Sequence, residues 1–86
     1  MIVHDAQNKL KIDRIWIVVS IDANGNEGVC AGPLPGAPGV LMPLIAADEE
    51  RLPFIKDMAK RLSKHTTKTL RLIELSTRTN VEDFGP

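Results

Sequence analysis

The strongest hydrophobic pattern in the chain lies between residues 15 and 21, which read Ile-Trp-Ile-Val-Val-Ser-Ile. β-branched and aromatic residues fit a pleated, half-buried surface, and successive side chains of a strand point to opposite faces. One face is therefore Ile15, Ile17, Val19 and Ile21, wholly apolar. The other is Trp16, Val18, Ser20 and Asp22, apolar at one end only. Apolar residues on both faces predict a central strand that needs cover twice, from the chain itself or from another subunit.

Asn24-Gly25 follows between strand-like flanks and predicts a hairpin with a two-residue type I′ turn. That register sets Asp22 against Glu27 and Val19 against Cys30, with a second strand over residues 26–31. Opposed carboxylates repel, so either the register differs or a positive charge lies near. Residues 32–39, Gly-Pro-Leu-Pro-Gly-Ala-Pro-Gly, predict a loop. Val40, Leu41, Met42, Leu44 and Ile45 should then be buried, while Pro43 limits them to an edge strand or extended segment.

Asp48 reads as an N-cap with Glu49 and Glu50 in the first turn of a helix. Leu52, Ile55, Ala59 and Leu62 recur on one stripe, with Phe54 and Met58 beside them, to about His65. Pro53 sits where a helical N–H is normally used, so the alternative is a turn over 48–52 and a regular helix from Pro53. Residues 69–79 form the last strand, Leu70 and Leu72 facing one way, Ile73 and Leu75 the other. Val81 and Phe84 are candidate anchors of the final segment. Residues 1–9 have no clear period and read as a flexible arm; an alternation with Leu10 and Ile12 apolar follows.

The fold expected is α+β: a hairpin, one crossover helix and a final strand, forming a three-stranded, mainly antiparallel sheet of order 2-1-3. The single helix covers one face. At 86 residues the chain is one domain, 1–86, with a small core. Trp16 and Val18, with Leu41 and Met42, are left as the expected subunit interface, and two-fold pairing is the commonest solution.

Composition narrows the function classes. With 43% apolar and 26% charged residues, the chain is an ordinary folded protein rather than a disordered one. One Trp, two Phe and no Tyr cannot build a stacking platform for single-stranded nucleic acid. The single cysteine, Cys30, excludes a disulfide framework and a cysteine-based zinc site. No leader-like opening and no run near the ~20 apolar residues of a membrane span are present, which predicts a cytoplasmic protein.

Net charge is zero, but its distribution is not even. Residues 51–78 hold eight basic and two acidic side chains; residues 23–50 hold four acidic and no basic ones. Lys60, Lys64, Lys68 and Arg71 are thus a candidate phosphate-binding surface, weighed against an ordinary solvated helix face. Asp22-Ala23-Asn24-Gly25-Asn26 matches the opening of a calcium loop. Glu27 then stands where that loop needs Gly, and Pro33 where it needs a closing Glu. Cys30 with His65 or His4 has no spacing that suggests a nucleophile and base. Prolines remove the donors that a phosphate cradle would use from the Pro/Gly loop. No catalytic residue, cofactor or metal is expected.

Val19-Ser20-Ile21-Asp22, Gly25-Asn26-Glu27-Gly28, Met42-Pro43-Leu44-Ile45-Ala46-Ala47-Asp48 and Arg71-Leu72-Ile73 give the region 15–77 a pattern that resembles small uncharacterised proteins of bacteria and their phages. The resemblance implies no activity, and neither residues 32–39 nor residues 1–13 belong to it. The expected function is a non-enzymatic interaction module acting as a homo-oligomer. The alternatives are a nucleic-acid accessory protein using the basic helix face and, third, a calcium-binding hairpin.

Overall fold

A computed structural model describes residues 12–86; the arm expected over 1–9 and the alternation around Leu10 lie outside the described residues. The elements are, in order, β1 (Ile15–Ile21), β2 (Glu27–Val29), β3 (Ala31–Pro33), β4 (Leu41–Pro43), β5 (Ile45–Ala46), α1 (Leu52–Ser63) and β6 (Thr69–Leu75). The α+β class, the single helix and the antiparallel pairing are as the sequence predicts. The three-stranded sheet is not: among the described residues six strands form two sheets.

β1 is central. β6 runs antiparallel along one edge of it, from Ile15↔Leu75 to Ile21↔Thr69. The other edge is shared. β2 pairs the second half of β1 and β5 the first half. Between them the chain branches away as the β3–β4 ribbon. The branch point is a closed triangle of backbone hydrogen bonds. The Val18 N–H donates to the Leu44 carbonyl at 3.0 Å, the Leu44 N–H to the Cys30 carbonyl at 2.9 Å, and the Cys30 N–H to the Val18 carbonyl at 2.8 Å. Each residue gives one bond and takes one, so the split of the sheet leaves these buried polar groups paired.

Two prolines inside the ribbon explain why its strands are hard to read in the sequence. The Leu44 N–H donates to the Cys30 carbonyl and the Leu34 N–H to the Val40 carbonyl, which marks 30/44 and 34/40 as bonded positions of the ladder. Antiparallel ladders alternate bonded and non-bonded pairs. Pro33 (opposite Leu41) and Pro43 (opposite Ala31) therefore fall on non-bonded pairs, where the ladder asks for no N–H. The ribbon is closed by two successive Pro-Gly turns. Ala37 donates to the Leu34 carbonyl and Val40 to that of Ala37, with Gly36 at φ 77° and Gly39 at φ 82°. Proline second and a positive-φ glycine third is the type II arrangement.

The first hairpin also departs from expectation. Ile21, not Asp22, faces Glu27, so the register is one residue from the two-residue turn and the two carboxylates are not opposed. Asn24 keeps a negative φ, and Gly25 alone is left-handed at 83°. The Asp22 carboxylate accepts from the Asn24 and Asn26 N–H groups, both at 2.9 Å. This local capture favours a three-residue loop over the type I′ turn, which needs positive φ twice.

α1 begins at Leu52 with Pro53 in its first turn, where a missing N–H costs nothing. Asp48, Glu49 and Glu50 precede it, and Asp48 Oδ1 accepts from the Arg51 N–H at 2.8 Å. The expected stripe faces inward: Ile55 is buried, and Leu52, Met58, Ala59 and Leu62 pack around it. Phe54 is exposed rather than beside the stripe.

The core is Trp16, Val18, Leu44, Ala46 and Ile55. Gly32 brings the ribbon against α1: a Cβ there would lie 3.2 Å from Met58 Cγ and 3.4 Å from Leu62 Cδ1. Arg14 lies over Trp16, its guanidinium carbon 5.6 Å from the ring centroid, and reaches Glu74 at 3.8 Å. α1 thus covers the Trp16/Val18 face, and Met42, Leu44 and Ala46 pack into the same cluster.

Candidate functional site

Among the described residues, the face of the sheet opposite α1 carries no secondary-structure element. Register places its residues in rows across the strands. Leu75 and Ile15 stand in one row, Ile73, Ile17 and Ile45 in the next, then Arg71, Val19 and Val29, then Thr69, Ile21 and Glu27. Eight of these are aliphatic. Leu75 is 48% exposed and Val29 55%. Val19, in the middle of this face, is only 4% exposed, yet stands apart from the core cluster under α1. The outward side of the ribbon continues the surface with Ala31 and Pro33 of β3 and Leu41 and Pro43 of β4.

Of the four residues expected at a subunit interface, Trp16 and Val18 lie in the core and Met42 packs against it. They are turned toward α1 and offer nothing to a partner. Leu41 is on the open side, 68% exposed. α1 covers the Trp16/Val18 face, so the side left without an element among the described residues is the opposite one. The signal for it was present in the unbroken Ile15, Ile17, Val19, Ile21 alternation. Nothing local in the sequence says which of two apolar faces the helix will take.

The four basic candidates do not share a surface. Lys60 on α1 and Lys64 at its C-cap are exposed, on one side of the sheet. Arg71 sits opposite Val19 on the other side. Lys68 lies in the turn before β6 and lines a shallow cavity of about 210 Å³ with Ser20, Asp22, Asn26, Glu27 and Gly28. The neighbouring Arg61 is engaged by Asp57 at 3.0 Å.

At that cavity, hydrogen bonding from the Asn26 backbone, with further help from Asn24 and the charge of Lys68, holds the Asp22 carboxyl below its ordinary range. Oδ1 of Asp22 accepts from both turn amides, so this oxygen serves the turn. No group of three or more potential metal-ligating side chains occurs among the described residues. Burial pushes the Cys30 thiol up, which disfavours the nucleophilic thiolate. His65 closes the end of α1, its N–H donating to the Leu62 carbonyl at 2.9 Å. No helix among the described residues is long and apolar enough to cross a membrane. No family model, no curated protein and no solved structure matches the chain.

Proposed function

We propose that this protein is a non-enzymatic interaction module that works as a homo-oligomer, with the open face of the sheet as the seam between copies. The observation that carries the reading is the row pattern: Ile15, Ile17, Val19, Ile21, Val29, Ile45, Ile73 and Leu75 share one face that no element of the described chain covers. Isolated exposed aliphatics are ordinary, whereas a contiguous apolar sheet face marks an interaction site. Strands ~4.8 Å apart and residues rising ~3.3 Å make the three-strand part roughly 15 Å by 23 Å. The outer side of the ribbon extends it toward the ~800 Å² per partner of a standard interface.

The test is Ile17→Lys at the centre of the face. In a single chain the lysine stem lies along the half-exposed sheet and its ammonium reaches water, so folding changes little. In a two-fold seam two ammonium groups would be desolvated together, which association does not tolerate. The variant should remain folded by circular dichroism and sediment as a single chain where the parent does not. A variant that associates as tightly as the parent rejects the seam.

A further inference from the structure

We infer that two copies pack open face to open face about a two-fold axis running along β1, so that Arg71 of each copy meets Glu27 of the other. This rests on the reading of the open face as a seam and adds to it the orientation and the residues that fix it. Between the rows of Ile15 and Ile21 the described strands put two formal charges on the face, Arg71 and Glu27. They lie on opposite edges, Arg71 on β6 beside Val19 and Glu27 on β2 beside Ile21, in neighbouring rows. Neither makes an ion pair among the described residues.

Aligned sheet packing keeps the strands of the two layers within about 30° of each other, which leaves two choices of axis. Rotation about β1 exchanges the edges and preserves the rows. Arg71 then comes over the β2 edge of the second copy, one row from its Glu27, and the pair recurs by symmetry. Rotation about an axis across the strands, through the middle of the face between Ile17 and Val19, preserves the edges and reverses the rows. Arg71 then lies one row from its own counterpart, two guanidinium groups facing each other across a desolvated seam. The two layers are ~10 Å apart, a gap that an arginine and a glutamate span together. Like charges brought together across an interface suppress that arrangement, and opposite ones fix the register. The two β1 strands therefore run in the same direction, and both α1 helices face outward.

Charge exchange tests this without disturbing the core. In Arg71→Glu each copy presents two carboxylates on the seam; in Glu27→Arg each presents two guanidinium groups. Sedimentation equilibrium should show the dimer dissociation constant of each variant raised about tenfold or more over the parent. An equimolar mixture of the two should recover association to within about threefold, because each variant supplies the charge the other lacks. If the parent dimerises and both variants dimerise equally well, or if the mixture recovers nothing, the orientation is overturned while the seam stands. If the parent is a single chain at all micromolar concentrations, the seam itself falls.

Discussion

Leu44→Ala is the substitution on which the packing argument makes its sharpest quantitative demand. Leu44 is fully buried, sits in the five-residue core and contributes its backbone to the branch-point triangle. Truncation to alanine removes three carbons, worth about 2.4 kcal/mol at ~0.8 kcal/mol each. A cavity adds ~24 cal/mol for each Å³ left unfilled, for a total of about 3–5 kcal/mol. Domains hold ~0.05–0.15 kcal/mol per residue, about 4–13 kcal/mol for a chain of 86. The loss is therefore a large fraction of the total, from about a quarter at the upper end of that range to all of it at the lower. Trp16 is the single tryptophan, is 7% exposed and belongs to the same cluster, so its fluorescence reports the loss directly. In urea, at one fixed protein concentration, the midpoint should fall with little change in slope. Phe84→Ala is the control: it removes a larger side chain that is 87% exposed, and should shift stability by no more than about 0.5 kcal/mol. A loss below about 1 kcal/mol for Leu44→Ala would refute the assignment of the Met42/Leu44/Ala46 side to the core.

Three further outcomes follow from the same geometry. Gly32→Val should cost about 1–3 kcal/mol, read as a lower urea midpoint, because its first added carbon already meets Met58 and Leu62. Asp22 has its pKa lowered on folding, so its stabilisation is fully present above the ordinary value of 3.8 and is lost as pH falls through the folded-state pKa. Stability followed over that acid range should therefore decline less steeply in Asp22→Asn, which keeps an acceptor oxygen but does not titrate. Since Lys60 and Lys64 lie across the sheet from Arg71, retention on DNA or RNA should be weak even at low salt. Tight binding that falls steeply with salt would favour the nucleic-acid reading instead.

Much of the architecture was legible in the residues. β1 announces itself by β-branching, α1 by its Leu52, Ile55, Ala59, Leu62 spacing, and β6 joins the free edge of β1 opposite the hairpin. The ribbon was not legible, because proline argues against strands unless its position in the ladder is known. Pro33 and Pro43 are tolerated through pairing that only the fold supplies. The turn at Asp22 was misread by one residue because a side-chain oxygen competes with the backbone preference of Asn-Gly. That slip matters, since in the two-residue register Cys30 would have shared a face with Val19, whereas it packs toward Val18 and the core. Val81 and Phe84, expected as anchors, are exposed: hydrophobicity in a segment without period does not say whether a partner surface is within reach.

The most direct test of the account is the mass of the unmodified protein in solution, by sedimentation equilibrium over a range of micromolar concentrations. A seam built from the open face predicts twice the 9.4 kDa of one chain, dissociating only on dilution. A single-chain mass at every concentration would contradict it, and would mean that no second copy covers the Ile15/Ile17/Val19/Ile21 face.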